Sequence, residues 1–223
     1  MREGIRLYKL GKYREALENL RSVKVAERDY AELSYFLGLC YTKLEQFEEA
    51  LLYLEQVVTS ELGFAQVYQA RMILAYIYAL TERHRLAEFE LQRLIEDGYD
   101  SVQVHAALGY VLYREKKHAA AIKQLESGLA IDPANPTVLN TLAFIMAEEN
   151  IRPGAALSYV RRALVAKPDH PAYLDTLGWV LFRMGDFKEA LEHLRRARKA
   201  WPENQEIRDH IRKVMERNNE TQR

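Results

Sequence analysis

The chain has 223 residues, 48% apolar and 29% charged, with ten Gly and six Pro, so it can bury a core and does not have the makeup of a loop-rich or disordered chain. Thirty-two basic residues balance thirty-two acidic ones, and a net charge of zero gives no support for a nucleic-acid or other polyanionic partner. The single cysteine, Cys40, excludes an intramolecular disulfide framework and a cysteine-based zinc site, and no run approaches the roughly 20 apolar residues of a membrane span.

The N-terminal stretch MREGIRLYKLGKY carries charges throughout and lacks the apolar centre of a signal peptide. It opens a pattern that recurs to the far end of the chain, a small residue followed by an alanine just over three helical turns later. Gly4 leads to Ala16, Gly38 to Ala50, Ala75 to Ala87, Gly109 to Ala121, Ala143 to Ala156 and Gly178 to Ala190. Successive alanines lie 34, 37, 34, 35 and 34 residues apart. Each period holds two apolar stripes of helical spacing separated by a short polar break. In the second period Leu33, Leu37, Cys40, Tyr41 and Leu44 make one stripe, and Phe47, Ala50, Leu51, Leu54, Val57 and Val58 make the other. Strand-like alternation is absent.

The pattern predicts helical hairpins at approximately 1–30, 31–64, 68–101, 102–135, 136–170 and 171–204. Three extra residues around SELGFAQ predict a longer helix or loop before the third hairpin, and one inserted residue near NIRPG lengthens the fifth. Ser101 and Asn135 suit helix N-caps, and Pro136, Pro153 and Pro171 suit first turns, where a missing N–H costs nothing. Pro133, Pro168 and Pro202 suit helix stops. A last helix over about 203–218 should cap the array, with Glu206, Arg208, Asp209, Arg212, Lys213 and Arg217 on a solvated face, and 219–223 should form a disordered tail. Hairpins this short cannot bury both apolar faces alone and must stack on their neighbours. Gly and Ala at the crossings let two helix axes approach to about 8–10 Å.

The period and its fixed positions resemble the tetratricopeptide repeat of bacterial-type proteins. In residues 172–204 the matching positions are Leu174, Leu177, Gly178, Leu181, Phe187, Ala190, Leu194, Ala197 and Pro202. The resemblance implies an all-α fold: one right-handed superhelical solenoid of tandem helix-turn-helix hairpins with a C-terminal capping helix. It implies protein–protein interaction, with no enzymatic activity and no cofactor. Met1 falls about four residues into the first repeat, so an upstream segment is expected. The chain reads as cytoplasmic, or as envelope-associated or periplasmic if that segment is an anchor or a signal.

No chemical constellation competes with this reading. HExxH, paired cysteines, phosphate-cradling loops and GxSxG are all missing. His84 and His118 take the place of Tyr13, Phe47 and Phe187 and should pack at hairpin turns. His105 starts a first helix with no ligating neighbour at helical spacing, and His170, His193 and His210 are expected near helix ends or on outer faces, so no metal site is expected. Cys40 reads as a small buried hydrophobe. Arg195, Arg196, Arg198 and Lys199 lie on a second helix, on the outside of such an array. They should pair with Glu189 and Glu192 and stay solvated, since no aromatics interleave to make a nucleic-acid site.

In the family the first helices line a concave groove. The residues just after the crossing position are Leu39, Tyr76, Tyr110, Phe144 and Trp179. Three residues further come Thr42, Ala79, Tyr113, Ala147 and Phe182, and four before come Tyr35, Met72, Ala106, Asn140 and Asp175. The candidate groove is therefore Tyr35, Leu39, Met72, Tyr76, Tyr110, Tyr113, Arg114, Phe144, Asp175, Trp179, Phe182 and Arg183, with polar relief from Lys43, Gln103, Asn140 and Glu148. A solvent-facing row of large apolar groups calls for a cover. The expected partner is another polypeptide, an extended or helical segment with apolar side chains; the alternative is a homo-oligomer. The family's clamp for a chaperone's C-terminal carboxylate needs Lys and Asn where this chain has Tyr35, Leu39, Met72 and Tyr76, so that ligand is not expected.

Overall fold

The computed structural model describes residues 1–221. Among these, no strand is present. The repeat pattern alone reads as one continuous array; by its contacts the chain forms two compact units, Met1–Asp100 and the residues from Ser101 onward. The first unit holds α1 (Arg2–Lys9), α2 (Tyr13–Ser22), a single 3₁₀ turn (Glu27–Asp29), α3 (Tyr30–Lys43), α4 (Phe47–Val58), α5 (Phe64–Leu80) and α6 (His84–Glu96). The second holds α7 (Val102–Arg114), α8 (His118–Ile131), α9 (Pro136–Glu148), α10 (Pro153–Ala166), α11 (Pro171–Arg183), α12 (Phe187–Ala200) and α13 (Gln205–Thr221). Within each unit every odd helix up to α11 pairs with the even helix after it, the even helix packs on the next hairpin of its unit, and α12 packs on α13.

The small residues sit where the helices cross. A Cβ built on Gly38 would stand 2.7 Å from Leu54 Cγ, one on Gly109 2.7 Å from Leu125 Cγ, and one on Gly178 2.6 Å from Leu194 Cγ. The alanines of the second helices, from Ala16 to Ala190, are fully buried at the same crossings. Each first helix ends in the same way. The second residue after it has a left-handed backbone: Gly11, Glu45, Glu82, Lys116, Asn150 and Gly185 all have φ between 54° and 89°. The next amide then bonds back five residues, as Gln46 N to Tyr41 O at 3.0 Å and Asp186 N to Leu181 O at 3.0 Å, which satisfies carbonyls that the helix end leaves open. Glycine meets this demand at two of these turns; elsewhere Glu, Lys or Asn accepts the strain.

The insertions have distinct outcomes. The extra residues before the third hairpin extend α5, which starts at Phe64 and runs for 17 residues. The inserted residue of the fifth hairpin adds a second left-handed residue, Arg152 (φ 43°). Ser101 Oγ and Asn135 Oδ1 accept from Val104 N and Val138 N as N-caps, and Pro136, Pro153 and Pro171 each open a helix. The last helix begins at Gln205 and continues to Thr221, so residues 219–221, expected in a tail, are helical; 222 and 223 lie outside the described residues. Inside the first unit Arg71 Nη1 donates to Glu90 Oε2 at 2.6 Å, a buried pair between α5 and α6 that the apolar pattern did not announce. Burial pushes the Glu90 carboxyl pKa up, against the pull of Arg71.

Candidate functional site

In the first unit, Tyr76 and Leu80 stand one turn apart on α5 and both remain exposed, Tyr76 at 58%. Together with Leu39 and Lys43 of α3, Phe47 of α4 and Tyr8 of α1 they border an open trough of about 710 Å³. Leu39 is buried as a residue but contributes to the floor. Tyr35 is not available in this way: its ring is buried, its hydroxyl donates to Gln69 Oε1 at 2.6 Å, and burial raises its pKa. Met72 is half-buried and does not line the trough. Gln69, Ile73, Leu80 and Tyr8 line it without having been singled out from the sequence. For Tyr8 and Leu80 the signal was there, since they repeat the positions of Thr42 and Lys43 in their own hairpins.

In the second unit, Tyr110, Tyr113, Arg114, Asn140, Phe144 and Asp175 come together around a cavity of about 470 Å³. Tyr110 is 44% exposed, and its hydroxyl accepts from Arg114 Nη1 at 3.0 Å. Tyr113 and Phe144 meet edge to face, 5.9 Å apart. Burial, then the carboxylates of Glu148 and Glu206, push the Tyr113 phenol up to about 12. Glu206, on α13, borders the same cavity and was not foreseen as a site residue. Although the residue keeps solvent exposure, burial around its carboxyl raises its pKa, and Asp175 and Glu148 raise it further.

The last helix corrects two expectations. Trp179, expected open to the groove, is 3% exposed. His210 of α13 stacks on it, centroids 4.2 Å apart and planes 18° from parallel, with Lys213 Nζ 5.1 Å from the ring centre. His210, expected near a helix end or on an outer face, is buried, and its Nδ1 lies 2.9 Å from Asp175 Oδ1. Asp175 is thus a buried hydrogen-bond partner of His210 rather than an open groove residue. The physical reason is that α13 packs on α12 and α11 as another hairpin's first helix would, so the inner face of α11 has a neighbour. Phe182 is half-buried between Trp179 and Phe187, and Arg183 is exposed; neither borders the cavity of Tyr110 and Phe144.

The remaining side chains hold structural places. His118 opens α8 with Nδ1 2.6 Å from Glu149 Oε1, and buried His105 shares a hydrogen bond with Gln124. Cys40 is buried, and burial pushes its thiol up to about 11. Arg195, Arg196, Arg198 and Lys199 are exposed on α12, but the partner of Arg196 is Asp169 in the loop between α10 and α11 at 3.0 Å, while Glu189 lies near His193. Among the described residues no group of His, Cys, Asp and Glu is placed to hold a metal ion, and no helix is long and apolar enough to cross a membrane.

A family model described as tetratricopeptide repeat matches residues 1–63 and 82–136, and a second so described matches 171–211. The chain is 34% identical over 89 residues to TPR repeat-containing protein PA4667 of Pseudomonas aeruginosa, covering 40% of this chain and 15% of that one. It is 23% identical over 198 residues to protein O-mannosyl-transferase TMTC1 of Homo sapiens, covering 87% of this chain and 22% of that one. The chain therefore spans less than a quarter of the length of these curated relatives. Among solved structures it is similar to PilW, a widely conserved type IV pilus biogenesis factor (TM-score 0.70, 18% identity, 83% of this chain and 86% of that one). It is also similar to YrrB, a TPR protein with an unusual peptide-binding site (TM-score 0.62, 17% identity, 87% and 95%). At these identities the shared property is the fold, a solenoid of helical hairpins.

Proposed function

The chain belongs to the tetratricopeptide-repeat family, and from that premise we propose that it is a protein-interaction scaffold that binds a polypeptide segment on the inner faces of its first helices. The observation that supports this reading is the placement of Tyr76 and Tyr110, aromatic rings at one repeat position, each exposed beside a cavity. Keeping such rings in water forgoes burial worth about 1.5–3 kcal/mol for a large apolar side chain, and aromatic anchors of this kind dominate binding energy at interfaces. The transferase activity named for the human relative belongs to a protein of which this chain spans 22%, and it is not carried over. A photo-crosslinking amino acid placed at Tyr76 or Tyr110 tests the reading, with Val165, 83% exposed on α10, as the outer control. Polypeptide adducts should form at positions 76 and 110 and not at 165. Equal yields at all three would overturn the proposal, and adducts made only of this same chain would replace it with self-association.

A further inference from the structure

Resting on the interaction reading above, we propose that the inner face of the second unit selects its partner by a basic side chain, a lysine or arginine seated between Tyr113, Phe144 and the carboxylates of Glu148 and Glu206. Two cavities, of about 470 and about 340 Å³, share Tyr113, Phe144 and Glu206 as common lining. Glu148 of α9 and Asp209 of α13 border the smaller one, and Asp175 of α11 borders the larger. Three helices thus bring four carboxylates to one place.

The basic side chains nearby have contacts of their own. His210 Nδ1 lies 2.9 Å from Asp175 Oδ1, Arg212 takes Asp209 at 2.6 Å, Arg114 bonds the hydroxyl of Tyr110, and Lys213, which borders the smaller cavity with His210, lies over Trp179. Glu148 and Glu206 have no ion-pair partner among the described residues. Burial first, and neighbouring carboxylates after it, raise the pKa values of Glu206 and Tyr113, against the opposing pull of His210 and Lys213 at Glu206 and of Arg114 at Tyr113.

An ammonium or guanidinium answers each part of this arrangement. It gains charge-assisted hydrogen bonds to the two carboxylates and the electrostatic attraction of the ring faces of Tyr113 and Phe144. Asn140 Oδ1, buried on the wall of the larger cavity with no hydrogen-bond partner, can accept from a further N–H. A carboxylate of a partner would meet like charge here, which gives discrimination as well as affinity.

The probe is a phage-displayed library of random linear peptides selected on the full chain. Enriched peptides should carry Lys or Arg beside apolar residues. For one such peptide, Glu148→Gln with Glu206→Gln should weaken binding about tenfold or more and flatten its dependence on salt. Replacing the peptide's own basic residue by norleucine should cost as much in the native chain and much less in the double variant. Enriched peptides that depend on Tyr110 but lack a basic residue, or that bind the double variant unchanged, would overturn the selection by charge and leave the interaction reading standing. Peptides enriched no better on the native chain than on one with Tyr76→Ala and Tyr110→Ala would overturn both.

Discussion

Adding a single methyl group at Gly178 measures how tightly the hairpins are crossed. The new Cβ would stand 2.6 Å from Leu194 Cγ and 2.9 Å from the carbonyl oxygen of Ala190. Leu194 is fully buried and has little room to turn aside, and the Ala190 oxygen is backbone, so α11 and α12 must separate. Two effects oppose each other. Alanine in place of glycine favours a helix by about 1 kcal/mol, whereas overpacking costs about 1–3 kcal/mol, with a backbone contact near the upper end. Gly178→Ala should therefore lose about 1–2 kcal/mol net. Gly154 in α10 is the control, since a Cβ there meets nothing within 4 Å, and Gly154→Ala should gain about 0.5–1 kcal/mol. The fifth hairpin supplies a compensating pair: Ala143 stands at the glycine position with Val160 at the Leu194 position, both fully buried. Leu194→Val should therefore cost less in the Gly178→Ala background than alone. Urea unfolding followed by far-ultraviolet dichroism reads all four variants. A midpoint for Gly178→Ala at or above that of the native chain would refute the argument, because the propensity gain would then be unopposed.

Lys116 holds a left-handed turn at φ 61°, so Lys116→Gly should raise stability by about 1 kcal/mol in the same urea assay. His210→Ala removes the hydrogen-bond partner of buried Asp175 and should cost about 1–3 kcal/mol; with Trp201→Phe as background, emission of the remaining Trp179 should shift to the red as α13 lifts from the ring. Cys40 should resist thiol reagents in the native chain at pH 8 and react on denaturation. Its folded pKa, about 11 against an ordinary 9.0, keeps the thiol protonated in the fold while the unfolded chain ionises, so stability should fall as pH rises through that interval, and Cys40→Ala should flatten the slope. Replacing Arg195, Arg196, Arg198 and Lys199 by Gln should change stability by only about 0–1 kcal/mol and leave peptide binding to the inner faces unaltered.

The sequence by itself determined the hairpins, their crossings and their caps. Each rests on local stereochemistry: Gly38, Gly109 and Gly178 are demanded by a helix one repeat-half away, Ser101 and Asn135 by an open helix start, and Pro136, Pro153 and Pro171 by a first turn without a donor. Such demands recur at one spacing, so they can be read without knowing the neighbours. The left-handed turns at Glu45, Glu82 and Lys116 were hidden only because the strain is borne by residues that do not advertise it. The buried Arg71–Glu90 pair was hidden because charge on a helix ordinarily signals solvent.

What the tertiary structure decided is which inner-face positions stay open. Tyr76, Tyr110 and Trp179 share one repeat position, and nothing in their helices separates them. Tyr76 and Tyr110 remain exposed, whereas Trp179 is covered because α13 follows α11 and α12 and brings His210 and Lys213 onto its ring. The same packing turned Asp175 into a buried partner and carried Glu206 to the cavity of Tyr113 and Phe144. Exposure of a side chain depends on the helix laid against it from the next part of the chain, and a repeat pattern fixes direction but not cover.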